Sequence, residues 1–148
     1  REIAKKEDFQ VPTTILISPT MRCNLSCIGC YAASYTKSDD LELDQIDRII
    51  EEGKEAGVAF FTILGGEPFI RDDMFRIYKK HSDVEFLVFT NGTLIDDKVV
   101  DKLVQLGNIF LTLSIEGFEE ETDQRRGKGV YKKVLKAMEI LKKHKIIN

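Results

Sequence analysis

Three cysteines are the residues of this sequence whose type and spacing point most directly to chemistry. Cys23, Cys27 and Cys30 lie within one short segment, and the sequence contains no other cysteine. Three thiolates this close together can wrap one side of an iron–sulfur cube, because a short loop turns each sulfur towards a different iron. Such a site leaves one iron without a protein ligand, and an open position of this kind is typical of catalytic metal centres.

Other uses of three cysteines fit the sequence less well. Structural zinc takes four ligands, and the only histidines, His81 and His144, fall in predicted helices far along the chain, where we expect helix-surface or helix-end positions. A disulfide framework would use an even number of cysteines spread over the sequence. A non-catalytic iron–sulfur, metal-binding or electron-transfer module stays open as the alternative, since a partner could supply a fourth ligand.

Three further segments carry unusual residues directly after predicted strands. These segments are Gly65-Gly66-Glu67-Pro68, Thr90-Asn91-Gly92-Thr93 and Ser114-Ile115-Glu116-Gly117. In parallel α/β folds, ligands bind at the carboxyl ends of the strands, where the following loops converge. The sequence therefore predicts that these segments and the cysteines form a single site.

The elements that position this site alternate regularly along the chain. Nearly continuous apolar runs at 14–18, 59–64, 84–90 and 109–115 predict strands of a parallel sheet. Helical periodicity follows each run: after Asp44 as the N-cap, over 74–81, from Asp96 to Gly107, and over 131–141. The order predicts an α/β fold, a partial parallel (β/α) barrel with about four βα units.

The motifs together resemble a known family. The spacing Cys-x3-Cys-x2-Cys after a first strand resembles the signature of the radical S-adenosylmethionine (radical SAM) superfamily, and Gly-Gly-Glu-Pro at the second strand is similar to its second motif. The resemblance implies that Cys23, Cys27 and Cys30 bind a [4Fe-4S] cluster whose open iron chelates S-adenosyl-L-methionine. Reductive cleavage of that cofactor would give a 5′-deoxyadenosyl radical that abstracts a hydrogen from a substrate.

The same resemblance assigns roles to individual residues near the first three strands. Gly65, Gly66 and Glu67 resemble the group that contacts the amino end of the methionine moiety, since an ammonium wants carbonyl and carboxylate acceptors. Asn91 resembles a residue beside the cofactor. Many relatives carry an aromatic residue just before the third cysteine, where this chain has Gly29, with Tyr31 just after it.

Further roles fall near the fourth strand. Ser114 and Glu116 lie where family members place residues that touch the cofactor carboxylate or the ribose hydroxyls. Arg126, in a predicted loop, resembles an arginine that pairs with the cofactor carboxylate.

The charge and hydrophobicity of the sequence indicate which partners to expect. A net charge of −3 and a pI near 5.5 give no case for nucleic acid or an anionic membrane, and no apolar run is long enough to span a bilayer, so we expect a cytoplasmic protein. The resemblance implies an external one-electron donor of the flavodoxin or ferredoxin type. The Cys-Tyr-Ala and Gly-Gly-Glu-Pro forms resemble the branch that modifies peptides, which suggests a peptide substrate.

The expected domain organisation is a short N-terminal extension, 1–13, followed by the radical SAM core, 14–148. The sequence ends at Ile146-Ile147-Asn148, where a fifth strand could begin. We therefore expect a core that is incomplete at its C-terminus, with one face of the sheet uncovered. Alone, such a core should cleave S-adenosylmethionine poorly, and it should self-associate or belong to a longer polypeptide. A degenerate core that serves as a scaffold is the other alternative.

Overall fold

The computed structural model describes residues 12–36, 38 and 40–146. Its strands are β1 (Ile15–Ile17), β2 (Phe60–Ile63), β3 (Glu85–Thr90) and β4 (Ile109–Leu113), which lie side by side in the order of the sequence. Each neighbouring pair is parallel. The predicted partial parallel barrel is confirmed as four parallel strands in one open sheet, and each strand falls within its predicted range.

Five α-helices connect and follow these strands within the described residues. They are α1 (Leu43–Glu55), α2 (Met74–Lys80), α3 (Asp97–Leu106), α4 (Glu119–Arg126) and α5 (Val130–Lys143). The sequence predicted all but α4. That helix has no apolar stripe, because its only buried residue is Thr122, and its first turn is three consecutive glutamates. Hydrophobic periodicity cannot detect a helix of this kind.

The ends of the helices test the sequence-based cap assignments. Helix α3 begins as predicted, with the Asp96 carboxylate accepting from the Val99 N–H at 2.9 Å, and it ends at Gly107 with a φ of 71°. The assignment of Asp44 as the N-cap of α1 was wrong. Glu42 is the N-cap, and its N–H donates to the Gln45 side-chain oxygen at 2.9 Å, which satisfies a donor at the start of the helix.

The two faces of the sheet differ sharply. On one face, Phe61 and Phe86 are completely buried beneath the helices. On the other face, Leu16, Phe89 and Phe110 are 63%, 40% and 49% exposed. Alternate side chains of a strand point to opposite faces, so the helices cover one set and leave the other open. One face of the sheet is uncovered, as expected for four βα units.

A cluster of charged and polar side chains joins α1 to the end of α2. His81 lies at a helix end, as predicted, yet its side chain is fully buried. Its Nε2 lies 2.8 Å from a carboxylate oxygen of Asp47, and its Nδ1 lies 3.4 Å from Glu51. The Lys80 ammonium also contacts Asp47, at 2.7 Å. The two ring nitrogens thus face different carboxylates, one of which already has a cationic partner, and this indicates a structural role in packing the two helices.

Two features of the sequence analysis fall largely outside the described residues. Most of the predicted N-terminal extension, 1–11, and Ile147 and Asn148 at the predicted start of a fifth strand are not among them. Within the described part, no helix is both long enough and apolar enough to cross a membrane.

Candidate cofactor site

A cavity of about 560 Å³ opens at the carboxyl ends of the strands. Its volume lies in the range of sites that hold small molecules. It brings together most of the predicted site residues, namely Cys23, Cys27, Cys30, Gly65, Gly66, Asn91, Ser114 and Arg126. Glu67 and Glu116 do not line it. Apolar side chains from the open face of the sheet complete the wall, among them Leu16, Leu87 and Phe89.

The Gly-Gly segment lies against the chain that leads to the first cysteine. The N–H of Gly66 donates to the Thr20 carbonyl at 2.9 Å, and the N–H of Glu67 donates to the Arg22 carbonyl at 2.8 Å. These bonds extend the pairing of β1 with β2 beyond both strands. A Cβ on Gly65 would lie 2.3 Å from the Thr20 oxygen. Glycine is required because backbone passes so close, and the segment braces the cysteine loop as well as lining the cavity.

Tyr31 fastens the other side of the same segment. Its hydroxyl lies 3.1 Å from both the N–H and the carbonyl oxygen of Gly65, so it can accept from one and donate to the other. Its ring lines the cavity and meets the Tyr35 ring edge-on. This bridge could not be predicted from spacing, since it joins residues 34 positions apart.

The Glu67 carboxylate is turned away from the cavity and fully buried. One oxygen accepts from the Phe69 N–H at 3.1 Å and from the Thr90 hydroxyl at 2.8 Å, and the other accepts from the Asn91 N–H at 2.8 Å. Burial raises the pKa of this carboxyl, and the hydrogen bonds oppose that rise. This geometry favours a positioning role, fastening the loop after β2 to the end of β3, over the predicted contact of the carboxylate with the cofactor.

Replacing Glu67 with alanine should lower the free energy of unfolding by at least about 2 kcal/mol. The change leaves the N–H groups of Phe69 and Asn91 without their acceptor, and each buried unpaired donor costs about 1–3 kcal/mol. Urea unfolding measures the loss. Glu52→Ala is the control, because the exposed Glu52 side chain makes a surface pair with Arg48 that is worth under about 1 kcal/mol. Equal losses in the two variants would contradict the positioning role.

Asn91 follows β3 and reaches across to the cysteine loop. Its side-chain amide donates to the Asn24 side-chain oxygen at 2.9 Å and approaches the Cys23 sulfur at 3.7 Å. The residue is buried apart from the part that lines the cavity. The structure therefore places Asn91 directly beside the cysteines.

Two arginines converge on Glu116 behind the cavity. The Arg126 Nε donates to one Glu116 oxygen at 2.9 Å, and the Arg125 Nη1 donates to the other at 2.8 Å. These bonds, with that from Arg126 the largest cause, lower the pKa of Glu116. Arg126 lies in the last turn of α4, not in a loop as predicted. The two residues assigned separately to cofactor contacts thus bind each other, with Arg126 on the cavity side.

Helix α4 also touches the cysteine loop. The Ile28 N–H donates to the Arg125 carbonyl at 2.8 Å. Burial raises the pKa of the Cys27 thiol, and the nearby Arg126 guanidinium acts in the opposite direction. Iron binds the thiolate form of cysteine. Arg126 is therefore placed to offset part of the negative charge that ligation would bring to this loop.

The three cysteines line one cavity together with the Gly-Gly segment after β2. A single structural zinc takes four ligands, and the described lining of this cavity offers three thiols but no histidine or carboxylate. Three thiolates around one cavity, each able to bind a different iron, fit a cube-shaped cluster that has one open iron.

Comparison with known proteins shows the family of this chain. The family model described as the radical SAM superfamily matches residues 17–148. The AdoMet-dependent heme synthase of Methanosarcina barkeri is 34% identical over 89% of this chain and 40% of its own length. The PqqA peptide cyclase of Granulibacter bethesdensis is 28% identical over 90% of this chain and 37% of its own. The chain thus spans well under half the length of these relatives.

A solved structure shows the same fold around the predicted cofactor. The structure of native anSMEcpe with bound AdoMet superimposes with a TM-score of 0.76 at 26% identity, covering 90% of this chain and 42% of that one. The predicted cofactors, a [4Fe-4S] cluster and S-adenosylmethionine, are confirmed at the level of the family. With a family model that matches nearly the whole sequence and a fold shared with a cofactor-bound structure, this chain belongs to the radical SAM superfamily.

Proposed function

We propose that this chain is the core of a radical SAM enzyme in which Cys23, Cys27 and Cys30 hold a [4Fe-4S] cluster. The observation that carries the proposal is that the three thiols share one cavity with Gly65 and Gly66. When bound, the reduced cluster would cleave S-adenosylmethionine to methionine and a 5′-deoxyadenosyl radical that takes a hydrogen atom from the substrate. The protein itself would bind and orient the cluster, the cofactor and the substrate, and would shield them from water.

Polar groups on the cavity wall suit the two ends of the methionine moiety. The backbone of Gly65 and Gly66 offers carbonyl oxygens to an ammonium group, and the Arg126 guanidinium offers a fork of donors to a carboxylate. Ser114 adds a hydroxyl on the same wall. Glu116 holds two arginines and so fixes the direction of the Arg126 fork.

The remaining assignments concern Asn91, shielding and substrate. Asn91 lies between the cysteine loop and the cavity, where it can contact the cofactor. Leu87 and Phe89 give the cavity an apolar part of its wall, and such apolar cover keeps water away from a reactive intermediate. A peptide is the proposed substrate class, supported by the Cys-Tyr-Ala and Gly-Gly-Glu-Pro forms and by the similarity to a peptide cyclase. An external one-electron donor would supply the electron.

Electron paramagnetic resonance tests the proposed function. The chain is reconstituted anaerobically with iron and sulfide, reduced, and measured with and without S-adenosylmethionine. We expect the signal of the reduced cluster to change when the cofactor is added, because the cofactor would bind the open iron. A cluster signal that is identical in both samples would contradict the proposal and favour an electron-transfer module.

Replacing Arg126 with lysine should weaken S-adenosylmethionine binding by roughly ten- to a hundredfold, the equivalent of about 1.5–3 kcal/mol for a charge-assisted hydrogen bond. Lysine keeps the charge but loses the planar fork, so cluster loading should remain near that of the wild type. Calorimetry on the reconstituted protein measures the affinity. Arg48→Lys is the matched control, because Arg48 is exposed and pairs with Glu52 on the surface of α1. Equal affinities in the two variants would remove Arg126 from the cofactor site.

A further inference from the structure

We propose that Asn91 is a positioning residue that donates an N–H to the Cys23 sulfur and thereby raises the reduction potential of the cluster. This inference rests on the proposed function, since it assumes that Cys23 is an iron ligand. It goes further by giving Asn91 an electronic effect on the cluster in addition to a place beside the cofactor. The surrounding hydrogen bonds determine which way the Asn91 amide points.

Two hydrogen-bond donors of Thr93 fix the orientation of the Asn91 side-chain amide. The Thr93 backbone N–H, which can only donate, lies 2.9 Å from Asn91 Oδ1, and the Thr93 hydroxyl donates to the same oxygen at 2.7 Å. The oxygen of the amide must therefore face Thr93. The nitrogen is left facing the cysteine loop, with one hydrogen directed to Asn24 Oδ1 at 2.9 Å and the Cys23 sulfur 3.7 Å away.

A closed ring of hydrogen bonds holds this orientation. Asn24 accepts from Asn91 with its oxygen and donates its own amide hydrogen to the Thr93 hydroxyl at 2.8 Å. Thr93 in turn donates to Asn91. The buried Glu67 carboxylate also accepts from the backbone N–H of Asn91 at 2.8 Å. The amide has little freedom to turn away from the sulfur.

Cys23 differs from the other two cysteines in this respect. Its sulfur is approached by the Leu25 backbone N–H at 3.4 Å as well as by Asn91. Within the part of the chain that the structure describes, the hydrogen bonds to cysteine sulfur all go to Cys23. Hydrogen bonds to a ligating sulfur withdraw negative charge from that sulfur. They are among the factors that set the reduction potential of an iron–sulfur cluster.

Removing the donor should make the cluster harder to reduce. In Asn91→Ala, we expect the ratio of reduced to oxidised cluster at a fixed potential to fall about tenfold, which is a midpoint lower by 59 mV for one electron. A redox titration followed by electron paramagnetic resonance measures the midpoint. Asn24→Ala is the matched control, because it opens the ring but keeps the two Thr93 donors that orient the Asn91 amide, so that Asn91 can still donate to the sulfur and the midpoint should not fall.

A second measurement starts from the wild-type protein and does not require Asn91→Ala to fold. With asparagine labelled by ¹⁵N, pulsed paramagnetic resonance of the reduced cluster should show a nitrogen coupling that persists in Asn24→Ala. Equal midpoints for Asn91→Ala and wild type, or no asparagine coupling in loaded wild-type protein, would overturn the inference. Iron content of the wild type and the response of its signal to S-adenosylmethionine separate this failure from failure of the proposed function, in which either no cluster forms or the cluster does not respond to the cofactor.

Discussion

Cys27→Ala should bind no [4Fe-4S] cluster after anaerobic reconstitution. Three thiolates are available for the cluster, and the described cavity brings them to one place. With one sulfur removed, two of the irons would lack a protein ligand, and a cube held by two cysteines is not expected to survive desalting. The same loss is expected for Cys23→Ala and Cys30→Ala. Iron and sulfide analysis with the visible absorption spectrum measures the effect.

The matched control for this loss is Ser26→Ala, next to the second cysteine. It changes the same loop by a similar volume but leaves all three thiols in place, so it should load iron like the wild type. If Cys27→Ala still bound the wild-type amount of iron with an unchanged spectrum, the assignment of the cluster ligands would be wrong.

Gly66→Ala should lose most of its cluster although no ligand is changed. A Cβ at this position would lie 2.0 Å from the Arg22 carbonyl oxygen and 2.5 Å from its carbon, both backbone atoms that cannot turn aside. The segment before Cys23 would have to move away from the loop after β2, breaking the bonds that brace it. Overpacking of this kind also costs about 1–3 kcal/mol of stability. Iron content and urea unfolding, measured together, give both effects.

Gly107→Ala separates a general loss of stability from displacement of the cysteine loop. Gly107 has a positive φ of 71°, unlike Gly66, and a Cβ there would meet nothing within 4 Å. The strain of a left-handed alanine costs about 1–2 kcal/mol, at a helix end remote from the cavity. We expect this variant to be destabilised and yet to load a full cluster. Full loading of Gly66→Ala as well would show that the Gly-Gly segment does not brace the cysteines.

The sequence alone predicted the parts of the site that depend on residue type and spacing. Apolar runs and turn residues located the four strands, because burial in a parallel sheet demands that composition. The convergence of the cysteines with Gly65 and Ser114 then followed from topology, since parallel strands end at one edge. These inferences need no knowledge of side-chain orientation.

What the sequence could not predict depends on contacts between distant residues. Glu67 appeared to be a cofactor contact, but burial and three donors turn its carboxylate inward. Arg126 and Glu116 appeared to be separate ligands, but an unpredicted helix brings them into an ion pair. Tyr31 bridges to Gly65 through a hydroxyl whose partner is set only by the folded chain. Each of these depends on where a side chain points, which periodicity does not report.

Mössbauer spectroscopy of protein reconstituted with ⁵⁷Fe tests the central claim most directly. Three cysteines for four irons leave one iron without a protein ligand, and that iron should be the one that binds S-adenosylmethionine. We expect a single iron site to change its isomer shift when the cofactor is added, while the other three stay as they were. Four irons that remain equivalent and unchanged with the cofactor present would contradict the proposed site.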